Sequence, residues 1–275
     1  MLNPGMNGNQ RSPFQRAVLG KTGLEVGRLG LAAGYGMPAA AVERAFEEGM
    51  NYLYWGSPRR RGFAEALRNL SRRRDQMVLV IQCYSPFGWH VQRSLEQALR
   101  KLGFDYADVL LLGMWNRPPP ERILDVARKL KEQGRIRFLA VSTHRRPLVP
   151  RLARQPDYDV VHLRYNAVHP GAERDVFPHL PAGNRPGIVS FTATSWKQLL
   201  RSRRLPRGER APTAGDCYRF VLSNPAVDVC LSGAASLDQI EQALQALRRG
   251  PMSEEEMAWM RRVGAAIYRR SFRKD

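Results

Sequence analysis

RLGLAAGYG, residues 28–36, opens with the mostly apolar run Arg28–Ala33 and continues into glycines. This pattern predicts a buried β-strand followed by a turn. No G-x-G-x-x-G fingerprint follows the strand, which argues against an open, doubly wound dinucleotide-binding sheet.

Outward from this stretch, apolar runs alternate with helical patterns along the chain. Seven further runs predict strands: Tyr52–Trp55, Met77–Cys83, Val109–Gly113, Phe138–Ser142, Val160–Tyr165, Gly187–Thr192 and Val227–Leu231. Strands that alternate with helices predict a parallel sheet, and eight such units close into an α/β barrel of the (β/α)8 type. An open doubly wound sheet is the alternative.

The intervening segments show the i, i+3, i+4 spacing of amphipathic helices. Ser236 is positioned to cap the helix that follows the eighth strand. Ser253 and Glu256 have the spacing of a capping box. The helix that begins there is expected to run to about Arg270 and to pack across the outside of the barrel.

Composition limits the classes of function. The chain of 275 residues has a net charge of +19, and such a chain attracts anions. Its basic residues are scattered, with neither zinc-finger spacing nor an RNP motif, so specific nucleic-acid binding is not expected. Cys83, Cys217 and Cys230 lack metal-ligand spacing, so we predict no metal site and a reducing cytoplasm. No secretory signal or apolar run of spanning length occurs, so no membrane association is expected.

Several segments resemble the aldo-keto reductase family when taken in order: RAVLGKTGLEV (16–26), DYADVLLLGMW (105–115) and VLSNPAVDVCLSGAASLDQI (221–240). The resemblance covers about residues 16–265. It implies a (β/α)8 barrel over residues 15–270, with an N-terminal hairpin and a C-terminal helix. Residues 1–14 are expected to form a flexible tail.

The resemblance implies a catalytic Asp, Tyr, Lys and His around a substrate carbonyl, and none of the four matches here. The position similar to the Asp is Tyr54, the position similar to the Lys is Gln82, and the position similar to the His is Gly113. The segment expected to hold the Tyr reads SPRRRG (57–62). Tyr54, His144 and His162 are the remaining candidates for proton transfer, and each could instead be a pocket-lining side chain.

The cofactor half of the resemblance is better preserved and implies binding of NADP(H). Ser142, Thr143 and His162 fall where the family holds the nicotinamide carboxamide. Phe191, followed by Thr192, falls where the family stacks an aromatic ring on the nicotinamide. The adenosine segment is represented by Gly233, Ser236 and Gln239. The basic loop Arg201–Arg210 could neutralise a pyrophosphate or remain a solvated surface loop.

Three functions stay open on the sequence. The first is an NADP(H)-dependent oxidoreductase that acts on a carbonyl or alcohol with a non-standard active site. The second is an inactive barrel that binds a nucleotide or a protein partner, and the third is a barrel with non-redox chemistry. We expect the pocket to bind a small-molecule ligand. The sequence does not predict the oligomeric state. Six aromatic residues are expected to give a pocket for flat or apolar ligands: Tyr35, Tyr54, Trp55, Tyr84, Trp89 and Trp115.

Overall fold

The computed structural model describes residues 14–56, 60–201, 203, 205 and 208–272. Residues 1–13 of the expected tail lie outside this range. Phe14, the last residue of that tail, donates its backbone N–H to the Leu247 carbonyl at 3.0 Å. Among the helices of the described residues, none combines the length and the hydrophobicity that crossing a bilayer requires.

Eight parallel strands form a closed barrel, which confirms the fold predicted from the alternation of strands and helices. The last strand pairs with the first, with Cys230 opposite Leu29, so the sheet has no free edge. The predicted strands agree with the observed ones within two residues at each end. The observed strands are β3 (Leu29–Ala32), β4 (Tyr52–Trp55), β5 (Val78–Cys83), β6 (Ala107–Leu112), β7 (Ile136–Thr143), β8 (Val160–Arg164), β9 (Gly187–Phe191) and β10 (Val229–Ser232).

An antiparallel hairpin of β1 (Ala17–Val18) and β2 (Glu25–Val26) precedes the barrel, as the resemblance implied. Its turn carries Leu19, which is fully buried and packs against the residues inside the barrel. The N–H of Lys21 donates to the Arg185 carbonyl, just before β9, at 2.8 Å. The hairpin therefore covers the amino end of the barrel, so among the described residues the carboxyl end is the open face where a ligand is expected to bind.

Every second strand residue points into the barrel. The interior is mainly apolar and contains a cluster of packed side chains: Tyr52, Val78, Val80, Val109, Leu111, Ala140, Val160, Val189 and Val229. The residues between them, such as Leu79, Ile81 and Cys83, pack against the helices. Cys83 therefore faces away from the interior that Gln82 approaches, as the alternation predicted.

Helices surround the barrel: α1 (Ala39–Glu47), α2 (Arg61–Asn69), α3 (Gly88–Leu102), α4 (Glu121–Glu132), α5 (Val149–Leu152), α6 (Ala172–Asp175), α7 (Ala214–Leu222), α8 (Leu237–Arg249) and α9 (Glu254–Phe272). The predicted caps are confirmed. Ser236 Oγ accepts from the Gln239 N–H. Ser253 Oγ accepts from the Glu256 N–H at 3.0 Å, while a Glu256 carboxylate oxygen accepts from the Ser253 N–H at 2.8 Å. Local side-chain chemistry thus sets both helix starts.

Buried carboxylates lie at the amino ends of alternate strands. Each accepts an N–H from the preceding strand: Asp108 from Leu79 at 2.9 Å, Asp159 from Leu139 at 2.9 Å, and Asp228 from Ile188 at 2.8 Å. Each also pairs with a cation: Arg137, Lys131 and Arg185, respectively. Charge-assisted hydrogen bonds therefore fix the strand register at the closed end, away from the open mouth.

Candidate functional site

The carboxyl ends of the strands surround a cavity of about 360 Å³. The predicted residues Tyr54, Gln82, Ser142, His144 and His162 all line it. Its described lining contains no carboxylate and no lysine, so the site is aromatic and neutral-polar, as the strand ends predicted.

Tyr54 lies at the end of β4, and its ring lies against Gly56. A Cβ at Gly56 would come within 2.3 Å of the Tyr54 hydroxyl oxygen. Burial, and then the neighbouring phenol of Tyr84, raise the pKa of Tyr54 well above its ordinary value near 10. Tyr54 therefore keeps its proton at neutral pH and can donate a hydrogen bond into the cavity.

Gln82 and Gly113 act as a pair. A Cβ at Gly113 would lie 2.2 Å from Gln82 Nε2, so the Gln82 side chain occupies the space that a side chain at position 113 would need. Gln82 Oε1 is buried and has no hydrogen-bond donor among the described residues. Because a buried acceptor without a donor is costly, this oxygen offers a place for a ligand O–H or N–H.

His162 lines the bottom of the cavity, inside the barrel. Its Nε2 is 2.7 Å from the hydroxyl oxygen of Tyr52, and both side chains are buried. Burial lowers the pKa of His162 to about 3. The ring is therefore neutral at physiological pH, and its hydrogen bond crosses the barrel from β8 to β4.

His144 lies at the rim, after β7. Its ring meets the Phe191 ring edge-on, with 5.4 Å between centroids. Burial, and then the charge of Arg164, lower the pKa of His144. An imidazole in this place is a neutral hydrogen-bonding group near neutral pH, not a standing cation.

A second cavity of about 510 Å³ adjoins the first. The two share the lining residues Tyr35, Thr192, Trp196, Leu231 and Gly233. The second cavity extends outward past Lys197 and Thr213 to Gln239, between the amino ends of α7 and α8. Together they form one groove, which we call the mouth groove.

Six of the eight residues predicted to bind a cofactor line the mouth groove: Ser142, His162, Phe191, Thr192, Gly233 and Gln239. Ser142 Oγ already accepts from the Met114 N–H at 2.8 Å. The other two predicted residues do not line it. Thr143 points to the helix side, where its Oγ1 accepts from the Arg145 N–H at 3.0 Å, and Ser236 caps α8.

A family model described as the aldo/keto reductase family matches residues 38–205, which is more than half of the chain. The chain belongs to the aldo/keto reductase family. The match contains the strands β4 to β9 and therefore most of the cavity wall.

Solved structures of aldo-keto reductases share the fold. The holo form of aldo-keto reductase AKR11C1 from Bacillus halodurans matches with a TM-score of 0.73 and 22% identity, over 90% of this chain and 96% of that one. An aldo/keto reductase from Klebsiella pneumoniae, in complex with NADP and acetate, matches with a TM-score of 0.70 and 22% identity, over 92% and 96%.

A left-handed turn in this aldo/keto reductase was not predicted. Ser195, Trp196 and Lys197 have φ values of 48°, 57° and 64°, although each such L-residue costs roughly 1–2 kcal/mol. The Asn166 side chain supports the turn by donating to the Thr192 carbonyl at 2.8 Å. The segment contains no glycine, so the sequence carried no turn signal. The turn places Trp196 and Lys197 on the mouth groove.

Of the six aromatic residues that the sequence predicted to form the pocket, three line the cavity and three do not. Tyr35, Tyr54 and Tyr84 line the cavity. Trp55 and Trp115 pack behind the strands because alternation and the next turn direct them toward the helices. Trp89 is 67% exposed, and its ring meets that of His90 instead.

The basic loop Arg201–Arg210 is described only in part, since residues 202, 204, 206 and 207 lie outside the described residues. Arg210 is engaged with the protein's own surface. Its guanidinium lies 4.1 Å from the centroid of the Trp259 ring and pairs with Asp216 at 3.4 Å. Its role toward a pyrophosphate stays a prediction.

Proposed function

We propose that this aldo/keto reductase binds NADP(H) along the mouth groove and reduces a carbonyl, or oxidises the matching alcohol, in the 360 Å³ cavity. The observation that carries the proposal is the continuity of the groove. The groove runs from the Phe191 ring at the end of β9 to the amino ends of α7 and α8. Its described lining has one cation, Lys197, and no carboxylate. Such a lining favours an anionic dinucleotide.

The residues present fit this cofactor. Phe191 offers a ring face against which a nicotinamide can stack, and Ser142 and Gln82 offer polar atoms beside it. Lys197 lies farther along the groove, where phosphates would pass. Gln239 marks the start of α8, whose backbone N–H groups favour a bound phosphate. When bound, NADP(H) supplies or accepts the hydride.

The cavity suits a flat or apolar carbonyl compound. Tyr35, Tyr54, Tyr84 and Trp196 give it aromatic walls, and no charged side chain of the described lining faces a substrate there. An apolar ring gains by leaving water for such walls. A substrate with a free carboxylate would find no cation among the described residues that line this cavity.

Tyr54 is the group that we propose to bind the substrate carbonyl. Its hydroxyl donates to the carbonyl oxygen, and its proton moves only once that oxygen carries most of an alkoxide's charge, because the pKa of Tyr54 is raised. The reverse direction needs Tyr54 as its phenolate to take the alcohol proton, while Gln82 Oε1 can accept a hydrogen bond from the alcohol beforehand. A neutral amide cannot lower the pKa of Tyr54 as a cation would, so we expect slow turnover.

A second candidate function rests on the same groove together with the shifted pKa values of two side chains in it. Tyr54 has a raised pKa and His144 a lowered one, so neither is tuned for proton transfer near neutral pH. A barrel that binds NADP(H) without turnover, as a sensor or scaffold, would have this chemistry. Turnover of aromatic aldehydes separates the two.

The deciding experiment is a titration with NADPH, followed by quenching of protein fluorescence, with NADH alongside and at two salt concentrations. We expect saturable binding that favours NADPH. Phe191→Ala should weaken it by about 1–2 kcal/mol through lost ring contact. Phe87→Ala, at an exposed ring outside the groove, is the matched control. Absence of NADPH binding would contradict both functions, whereas binding without reduction of any aldehyde would favour the scaffold.

A further inference from the structure

A separate cavity of about 790 Å³ lies outside the mouth groove, between the loops that follow β7 and β8 and the helix α9. Four arginines line it: Arg146, Arg164, Arg261 and Arg269. Its described lining contains no carboxylate. We call it the arginine cavity.

The carboxylates near this cavity are already engaged. Glu173 accepts from the Tyr165 hydroxyl and from Arg261, both at 2.6 Å. Asp175 pairs with Arg146 at 3.0 Å and with Arg174 at 2.7 Å. Two of the four lining arginines, Arg146 and Arg261, therefore have ion pairs, although Asp175 shares its single charge between Arg146 and Arg174.

Arg164 and Arg269 are left with no ion pair to any residue that the structure describes. Arg164 is the last residue of β8 and is partly buried, while Arg269 is exposed on α9. Burial, and then the nearby Arg146, lower the pKa of Arg164. A partly buried guanidinium beside another cation is electrostatically unfavourable until an anion joins it.

The chain passes close to one of these guanidinium groups. A Cβ at position 171 would lie 2.6 Å from the central carbon of the Arg146 guanidinium, so glycine leaves room for that group in its present position. The wall also carries the rings of His169 and Tyr268, edge to face with 5.9 Å between centroids. The cavity thus combines a cationic floor with a ring pair, at a volume typical of small-molecule sites.

We propose that the arginine cavity binds the phosphate group of a small phosphorylated molecule, with Arg164 as the principal contact and Arg269 closing over it. Guanidinium groups bind phosphate oxygens through paired hydrogen bonds, which suits a dianion better than a monoanion. The ring pair favours a phosphate ester with a flat organic part. The site is distinct from the mouth groove and does not depend on NADP(H) binding.

The test uses the full chain and phenyl phosphate as the probe, with inorganic phosphate and benzoate as comparisons at matched ionic strength. Binding is followed by ³¹P NMR for the phosphates and by ligand-observed ¹H NMR for benzoate. We expect saturable binding of phenyl phosphate, tighter than that of either comparison. Arg164→Gln should weaken it about tenfold or more, as expected for the loss of a charged hydrogen-bond pair. Arg93→Gln is the matched control. Arg93 is exposed on α3, away from the arginine cavity, and its substitution removes the same charge from the protein.

Several outcomes would overturn the proposal. Equal weakening by both variants would assign the binding to the diffuse field of a chain with net charge +19. Displacement of phenyl phosphate by NADPH would place the anion in the mouth groove, and equal affinity for benzoate would remove the preference for phosphate. If Arg164→Gln fails to fold, the affinity of Arg269→Gln for phenyl phosphate is measured instead, since Arg269 is exposed on α9. An unchanged affinity in that variant would refute the proposal.

Discussion

The hydrogen bond between His162 and Tyr52 lies at the bottom of the cavity, between two side chains that are 1% and 0% exposed. It spans 2.7 Å between strands on opposite sides of the barrel. Because the pKa of His162 falls to about 3, the contact is built from two neutral groups. It gives the cavity a floor that carries no charge over the physiological pH range.

This residue should make the protein sensitive to acid. The unfolded chain binds a proton at His162 below its ordinary pKa of about 6.5, whereas the folded chain does so only below about 3. Stability should therefore fall as pH falls from about 6.5 toward 3, with a slope from this group of up to about 1.4 kcal/mol per pH unit.

His162→Gln should remove that slope while leaving an amide to bond Tyr52. The measurement is the free energy of unfolding in urea at several pH values between about 4 and 6. The exposed His179 supplies the matched control, His179→Gln, which should keep the wild-type slope. Identical slopes in His162→Gln and wild type would contradict the prediction.

Alternation along a strand predicts which residues face the site, since it is a local property. It separated Gln82 from Cys83 correctly, and it also separates Ser142 from Thr143, whose side chain points away. What the sequence could not give is the partner of His162. A contact across the barrel depends on strand tilt and stagger, which no local pattern encodes.

At the scale of elements, buried carboxylates fix the closed end of the barrel. Asp228 is 4% exposed, accepts the Ile188 N–H, and forms two short contacts with Arg185, at 2.6 and 2.8 Å. It joins β9 to the start of β10, the strand that completes the barrel. The sequence did not predict this contact, because a single Asp before a strand does not show which strand or which arginine it will contact.

Asp228→Asn should destabilise the protein by about 2–3 kcal/mol, because an amide leaves the partly buried Arg185 without its counter-charge. Urea unfolding followed by circular dichroism measures it. Asp75→Asn, at an exposed Asp with no partner among the described residues, should change stability by less than about 0.5 kcal/mol. A similar loss in the two variants would refute the assignment.

Helix α9 packs against the barrel through a glycine. A Cβ at Gly264 would lie 2.0 Å from the Ala167 carbonyl oxygen, in the loop after β8. Glycine within a helix normally costs about 1 kcal/mol relative to alanine. At this position we expect glycine to be more stabilising than alanine, because the methyl group of alanine would push the helix away from the loop.

Gly264→Ala should therefore lower the free energy of unfolding by about 1–3 kcal/mol. The control is Gly183→Ala, where no heavy atom lies within 4 Å of the added Cβ, and where we expect no loss. Urea unfolding of both variants is the measurement. Stabilisation by Gly264→Ala would mean that α9 has room to move.

Helices and strands were predictable because each depends on local periodicity and local caps. The start of α9 at Ser253 and Glu256 is an example. The left-handed turn at residues 195–197 is the opposite case. Its φ values are imposed by the loop's own anchors, including Asn166 on the Thr192 carbonyl, and that part of the site had to be seen in three dimensions.

For the molecule as a whole, the mouth groove is assembled from distant parts of the chain. Tyr35 follows the first barrel strand, Phe191 ends the seventh, and Gln239 follows the eighth. The barrel closes where β10 pairs with β3, directly beneath this groove. A ligand that contacts all three parts should therefore stabilise the closed barrel as a unit rather than one loop.

NADPH should then raise the thermal midpoint of the whole protein in a single transition. At about one hundred times its Kd, a ligand adds about 2.7 kcal/mol, which for a domain of this size corresponds to a shift of roughly 5 °C. Differential scanning calorimetry measures the shift. Phe191→Ala should reduce it at the same NADPH concentration, while Phe87→Ala should not. A shift confined to a separate, minor transition would mean that the ligand orders a loop without bridging β3, β9 and β10.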